Sequence, residues 1–248
     1  MIRRFGVIGY PLSHSFSPAY FSEKFEREGI TDSVYEAFPL ANIEDLQELL
    51  DKYPDLCGLN VTIPYKKKVI RFLEEGNDAV KQTVACNCIK ILDGKLYGYN
   101  TDIIGFKNTL VPLLKPNHTK ALILGTGGAA QAVEYVLKQL NISYVFVSRN
   151  KVGKQNCINY RDLDESWMSI YKLIINTTPA GQYPNVTECP PIPYKFLTTQ
   201  HYLYDLLYNP AETTFLKNGK RQGSIVKNGH EMLLIQAEES WKIWNDNS

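Results

Sequence analysis

Residues 121–130 read Ala-Leu-Ile-Leu-Gly-Thr-Gly-Gly-Ala-Ala, and their reading decides the fold. Ala121 to Leu124 is an apolar run of strand length. Gly125-Thr126-Gly127-Gly128-Ala129-Ala130 fits the G-x-G-x-x-A pattern that turns tightly from a strand into a helix. Val133, Val136, Leu137 and Leu140 continue at helical spacing, and Tyr144 to Val147 supplies the next strand. A glycine pattern alone is weak, but a strand before it and a helix and strand after it make a dinucleotide-binding unit. Its glycines allow close approach of a pyrophosphate, whose charge rests on the helix N-terminus. The second strand runs into Ser148-Arg149-Asn150. An acid there binds the ribose hydroxyl of NAD, whereas an arginine suits the 2′-phosphate of NADP. Lys151 and Lys154 add positive charge nearby.

Working outward, Leu173 to Ile175 runs into Asn176-Thr-Thr-Pro-Ala-Gly181, and Tyr202 to Asp205 into Leu206-Leu-Tyr208-Asn-Pro210. Both are strand-to-loop exits on the side where open α/β sheets bind ligands. Ile225 and Val226 read as a short last strand. After the turn at Asn228-Gly229, a final helix is expected over 231–244, with Leu233, Ala237, Trp241 and Trp244 as its buried stripe. Gln236 lies beside that stripe, facing either solvent or a cleft.

Upstream, Phe5 to Ile8 is a strand and Ser17-Pro18 opens a helix to about Glu28, with Ser17 as N-cap and proline first inside. Ser15 and Ser17 beside a helix N-terminus suit an anion such as a carboxylate, although Ser17 has a plainer use as a cap. A strand near 34–38 follows, then a helix capped by Asn42 with Ile43, Leu46, Leu49, Leu50 and Tyr53 as its apolar stripe. In Leu59-Asn-Val-Thr-Ile-Pro-Tyr-Lys66, apolar and polar residues alternate, which predicts a half-buried strand with one polar face, ended by Pro64. Lys66 then stands at a strand end, a common place for chemistry; alone it equally reads as a solvated lysine opening the run Lys66 to Lys68. This rhythm of strands and helices is that of a parallel α/β sheet.

Asp93-Gly94 is a strong two-residue hairpin turn, so opposed residues sum to 187: Leu92 with Lys95, Ile89 with Gly98, Asn87 with Asn100. Asn87, Asn100 and Asp102 are thereby expected to converge, unless Asp102 only caps a helix over 103–114.

Composition sets the bounds. The chain has 248 residues, 44% hydrophobic and 21% charged, with a formal net charge of +1. That suits a globular protein of two domains and gives no basic stripe for nucleic acid or a membrane surface. No apolar run approaches the roughly 20 residues of a spanning helix. The five cysteines show no CxxC pair and suit a cytoplasmic protein. Cys86 and Cys88 lack the companions of a zinc site, so no metal is expected.

Together, Ser15-Phe-Ser17-Pro18, Asn60-Val-Thr-Ile-Pro-Tyr-Lys66, Asn87, Asn100-Thr-Asp102, Gly125-x-Gly-Gly-Ala129, Asn176-Thr-Thr-Pro-x-Gly181, Tyr204-Asp-Leu-Leu-Tyr-Asn-Pro210 and Gln236 resemble the shikimate 5-dehydrogenase family, in order and over nearly the whole chain. The resemblance implies NADP(H)-dependent interconversion of 3-dehydroshikimate and shikimate, in chorismate and aromatic amino-acid biosynthesis. It implies Lys66 and Asp102 as the catalytic pair. Ser15, Ser17 and Tyr208 would hold the substrate carboxylate, and Thr62, Asn87, Asp102 and Gln236 the ring hydroxyls. The cofactor would meet Gly125, Thr126, Gly127, Gly128, Ala129, Arg149, Asn176, Thr177 and Gly229.

The implied fold is α/β with an N-terminal substrate domain, residues 1–102 completed by 227–248, and a Rossmann-like NADP-binding domain, residues 103–226, the last helix returning to the first domain. The active site is expected in the cleft between them. A small-molecule substrate, a monomer or homodimer, and no membrane or nucleic-acid partner complete the expectation. The chain departs from the family pattern after Arg149, where a crossover helix and its further arginine are missing. Arg149 is then the main candidate for the 2′-phosphate, and an NAD-using shikimate/quinate dehydrogenase stays open, as does a binding regulator without turnover. Gln182 and His230-Glu231 also replace family residues near the expected nicotinamide.

Overall fold

The computed structural model describes residues 2–13, 15–150 and 156–246; Lys151 and Lys154 lie outside the described residues. The chain divides into two compact units, residues 1–101 with 236–248, and residues 102–235.

The first unit begins β1 (Arg3–Gly9), α1 (Ser17–Glu28), β2 (Ser33–Pro39), α2 (Leu46–Lys52) and β3 (Leu56–Val61). β4 (Glu75–Gly76), α3 (Asp78–Thr83), β5 (Cys88–Leu92) and β6 (Lys95–Tyr99) follow. The sheet order is β2-β1-β3-β5-β6-β4. β1 pairs in parallel with β2 and β3, and the β5–β6 hairpin adds antiparallel to β3. The hairpin has the counted register, Leu92 opposite Lys95 and Ile89 opposite Gly98. Asp93 (φ 50°) and Gly94 (φ 73°) both adopt positive φ, as the tight turn demands. Asn42 caps a 3-10 turn, Ile43–Asp45, that leads into α2, and Ile43, Leu46 and Leu49 are buried.

The second unit holds α4 (Asp102–Leu110), β7 (Lys120–Leu124), α5 (Gly128–Gln139), β8 (Ser143–Val147), β9 (Cys157–Ile158) and α6 (Glu165–Ile170). Next come β10 (Leu173–Asn176), β11 (Tyr202–Asp205), α7 (Thr214–Arg221), β12 (Ile225–Lys227) and the start of α8 (His230–Asn245). The expected helix over 103–114 ends early: Pro112 falls in a 3-10 turn, Val111–Leu113, because proline lacks the N–H that would extend an α-helix. The sheet is parallel throughout, in the order β12-β11-β10-β7-β8-β9. Numbered from β7, that is the doubly wound order of dinucleotide-binding folds, with its switch point between β7 and β10. Phe106 of α4 meets Tyr204 edge-on at 5.0 Å, on one face of the sheet. Met168 of α6 and Phe215 and Leu216 of α7 join the core with Leu122, Val145, Ile174 and Leu203.

From Gln236 onward α8 belongs to the first unit. Its buried positions are Met232, Gln236, Ala237, Ser240 and Trp244, with Leu233 and Trp241 half-buried, so two polar side chains stand in the stripe expected to be apolar. The same packing corrects the reading of β3. Asn60 and its apolar neighbours are buried alike, while Ile63, counted as a core position, is 73% exposed beyond the strand's end. β3 is central, covered on one face by the core of Leu46, Leu49, Leu59 and Val61, and on the other by α1 and α8. Gly58 makes this possible, since a Cβ there would come within 2.4 Å of the Trp244 ring.

Candidate active site

In the first unit the strand ends gather polar groups. Lys66 lies in the turn after β3, where its carbonyl accepts from the Cys86 N–H at 2.8 Å, tying that turn to the segment entering β5. The next residue, Asn87, is buried and its amide is bonded at both ends. Its Oδ1 accepts from the Thr101 N–H at 2.7 Å, and its Nδ2 donates to Thr101 Oγ1 at 3.0 Å and to Gln236 Oε1 at 3.3 Å. Asn87 and Gln236, far apart in sequence, are therefore brought together. Thr62 follows β3, its N–H donating to the Ile8 carbonyl at 2.9 Å.

Beneath this cluster runs a second layer. Asn60 Oδ1 accepts from the Tyr35 hydroxyl at 2.8 Å, and its Nδ2 donates to Ser240 Oγ at 2.9 Å and to the Asn87 carbonyl at 3.3 Å. The Ser17 hydroxyl reaches Tyr35, whose burial raises its phenol well above the usual range. Buried amides and hydroxyls that satisfy one another in low dielectric form a stiff support.

Two expectations need correction. Ser17 is not the cap of α1; it is the first helical residue, and Phe16 at the cap gives no side-chain capping hydrogen bond. The Ser17 side chain faces inward to Tyr35, away from the geometry a cap requires. Ser15 sits half-buried two residues earlier, its N–H donating to the Leu12 carbonyl at 3.0 Å. The convergence of three polar residues at the hairpin's open end also fails in part. Asn100 turns the other way, donating to Thr83 Oγ1 at 3.0 Å and to the Ala85 carbonyl at 3.1 Å. The reason is that the paired ladder ends at Cys88–Tyr99 and the Asn87 N–H bonds the Tyr99 carbonyl, which breaks the counted register before Asn100. Thr101 takes its place beside Asn87. Asp102 is the first residue of α4, half-buried.

In the second unit the β7–α5 turn is built from backbone. Gly125 has φ +103°, and a Cβ there would press on Thr177 Oγ1 at 2.8 Å, so glycine is required by both conformation and packing. Gly127 and Gly128 differ: a Cβ would meet nothing within 4 Å at either. Gly127 caps α5 without any side-chain bond. Bare backbone that the protein's own packing does not require, at the head of a 12-residue helix, fits the close approach of a pyrophosphate. Thr126 and Ala129 complete this turn, and Ala130 is fully buried against the sheet.

The loops opposite are held by buried polar groups. Thr177 donates through N–H (3.0 Å) and Oγ1 (2.6 Å) to the Leu124 carbonyl. Asn176 is buried: Nδ2 donates to Asp205 at 3.0 Å, and Oδ1 accepts from the Thr178 N–H (3.0 Å) and hydroxyl (2.7 Å). Its side chain thus braces the loop. Asp205 also accepts from Thr213 Oγ1 at 2.6 Å and the Leu207 N–H at 3.1 Å; burial pushes its carboxyl up to about 6 against these bonds. Tyr208 is half-buried beyond β11, its phenol raised by burial. Gly229 is fixed by contact, since a Cβ would lie 2.1 Å from the Leu206 carbonyl oxygen. Arg149 is exposed just past β8.

Sequence reasoning missed Tyr35, Thr101, Ser240, Asp205 and Thr213, and took Asn60 for an outward strand residue. Only Thr101, between two expected site residues, carried a local signal.

Known proteins resemble this chain over nearly its full length. Residues 7–89 match the family profile of the shikimate dehydrogenase substrate binding domain. A protein of Methanococcus maripaludis named shikimate dehydrogenase (NADP(+)) is 38% identical, with 96% of this chain and 90% of the relative covered. The structure of shikimate 5-dehydrogenase from Thermus thermophilus with NADP(H) and shikimate superposes with a TM-score of 0.87 at 27% identity, covering 98% and 94% of the two chains. A quinate dehydrogenase from Corynebacterium glutamicum in complex with NAD gives a TM-score of 0.85 at 26% identity, covering 98% and 94%. With such identity from end to end, the chain belongs to the shikimate dehydrogenase (NADP(+)) family.

Proposed function

We propose that this chain interconverts 3-dehydroshikimate and shikimate with NADP(H), using Lys66 and Asp102 as its catalytic pair. The observation that carries the reading is the Asn87–Thr101–Gln236 cluster, stiffened from below by Asn60 and linked by backbone to the Lys66 turn. Vicinal hydroxyls on a ring need donors and acceptors held in register, which amide side chains supply. NADPH, when bound, supplies the hydride. Lys66 would give the proton that the substrate carbonyl oxygen takes up on its reduction to a secondary alcohol. Asp102 orients the neighbouring hydroxyl.

Ser15, Ser17 and Tyr208 hold the carboxylate, helped by the uncapped N-terminus of α1. A substrate domain of residues 1–102 with 227–248 and a cofactor domain of 103–226 match the two compact units in outline, although residue 102 and residues 227–235 fall in the second unit. All five cysteines are free thiols, which supports a reducing, cytoplasmic setting. Among the described residues no helix is long and apolar enough to cross a membrane.

The test is absorbance of reduced nicotinamide when purified protein meets shikimate with NADP⁺ or NAD⁺. Lys66→Ala is expected to lower turnover about 10²- to 10⁴-fold while shikimate still binds. Shikimate binding without turnover on either cofactor would sink the enzyme reading. Turnover on NAD⁺ alone would favour the quinate dehydrogenase alternative that the short segment after Arg149 keeps open.

A further inference from the structure

Between β8 and β9 only residues 148–150 and 156 are described, and none is helical. Among the described residues of this connection, β9 is the next element. Beyond β9 the chain folds back in a 3-10 turn, Tyr160–Asp162. Asn159 joins the two ends of this connection. Its Nδ2 donates to the Arg149 carbonyl at 2.8 Å, its Oδ1 accepts from the Arg161 N–H at 3.0 Å, and its own N–H donates to Asp162 Oδ2 at 2.9 Å. The Ser148 N–H also donates to the Ile158 carbonyl at 3.0 Å.

Both arginines consequently line one surface cavity of about 520 Å³, with Asn159, Tyr160 and Pro191. Burial raises the Tyr160 phenol to about 12, and the Arg149 guanidinium opposes that rise, which puts its charge beside the ring. Among the described residues neither guanidinium is held in an ion pair with a carboxylate. The cavity lies past the C-terminal end of β8, where a doubly wound sheet reads the adenosine ribose.

We propose that Arg161 is the second cation of the 2′-phosphate site, so that selectivity for NADP over NAD is carried jointly by Arg149 and Arg161. The inference rests on the dehydrogenase reading and deepens it. A phosphate monoester carries close to two negative charges and offers three acceptor oxygens, and two guanidinium forks match it better than one. The second fork here comes from a turn after the third strand, held to Arg149 by one asparagine.

The test is calorimetric titration of the full chain with adenosine 2′,5′-bisphosphate and with adenosine 5′-monophosphate, for the protein as it stands and for Arg161→Gln, Arg161→Lys and Arg149→Gln. The parent is expected to prefer the bisphosphate. Arg161→Gln lowers the ratio of the two affinities about tenfold, with a parallel fall in the NADP⁺-to-NAD⁺ ratio of kcat/KM. Arg161→Lys restores part of it, as a point charge without the fork. Arg161 is tied to its turn through its backbone N–H, and among the described residues its side chain makes no hydrogen bond or ion pair, so the glutamine variant keeps the fold. An unchanged ratio in Arg161→Gln overturns the proposal. A parent that does not discriminate the nucleotides, yet reduces NAD⁺ with shikimate, overturns it while the dehydrogenase reading stands. No shikimate-dependent reduction of either cofactor removes both.

Discussion

The two units make their proposed binding sites from different material. In the first, the surface consists of side chains: Asn87, Thr101 and Gln236 bonded to one another, over a layer of Tyr35, Asn60 and Ser240. In the second, the β7–α5 turn presents backbone, and its side chains are absent where a ligand would approach, at Gly127 and Gly128. The contrast follows from the ligands proposed for them. A pyrophosphate presents only acceptors, which a row of N–H groups at a helix head can meet. A polyhydroxylated ring presents donors and acceptors in alternation, which only side chains placed one by one can match. The first unit should thus fail when polar atoms are removed, and the second when atoms are added.

The largest effect is expected at Asn60. Asn60→Leu leaves the Tyr35 hydroxyl, the Asn87 carbonyl and Ser240 Oγ without this partner in the core, and should cost about 3 to 5 kcal/mol of stability in urea denaturation. Shikimate affinity should fall with it, as Asn87 loses its support. A loss under about 1 kcal/mol would mean that the layer is loosely coupled and the contrast overstated.

The second unit has a buried carboxyl with several partners, Asp205, and it titrates. Its folded carboxyl sits near 6 against an ordinary 3.8, raised chiefly by burial. Below pH 4 the folded and unfolded chains both hold the proton. Between 4 and 6 only the folded chain does, so unfolding releases a proton and stability falls as pH rises. The interval corresponds to roughly 3 kcal/mol from this one group. Asp205→Asn can keep the acceptor for Asn176 and Leu207 and turn its NH₂ to Thr213, imitating the protonated acid. The difference in stability between variant and parent, followed from pH 4 to 7, should therefore grow in the variant's favour. A flat difference would show that Asp205 is ionised throughout.

The same contrast explains what the sequence made legible. The glycine turn is contiguous, because a backbone site needs only local chain geometry, and so Gly125 to Ala130, the flanking strands and the parallel sheet could be read from ten residues and their neighbours. The hairpin register followed from Asp93-Gly94 because a two-residue turn leaves one pairing. The polar layer was illegible because it is assembled from α1, β2, β3, the end of β6 and α8, and no local pattern distinguishes Tyr35 or Ser240 from ordinary strand and helix residues. Asn60 misled for a related reason. Alternation in a strand marks one polar face, but it does not say whether that face meets water or a helix carrying its own polar groups. Ser17-Pro18 misled by one position, since a hydroxyl before proline suits a cap and a helical first residue alike.

The smallest effect on the fold, and the sharpest on the comparison, belongs to Gly127→Ala. The glycine's φ of −74° and ψ of −170° are open to any residue, and the added methyl meets nothing within 4 Å. Stability should move by less than about 1 kcal/mol, the difference between glycine and alanine at a helix N-cap. Yet the methyl stands where a pyrophosphate would approach the head of α5, and a shift of a few tenths of an ångström at that contact weakens several N–H bonds at once. Titration with NADP⁺ should show affinity lower by about tenfold, some 1.4 kcal/mol, beside an unaltered melting curve. Gly125→Ala serves as the contrasting control: it forces alanine into φ +103° and against Thr177, so the fold itself must give. If Gly127→Ala binds NADP⁺ as the parent does, the open space above that glycine has another use, and the backbone account of the second unit fails at its centre.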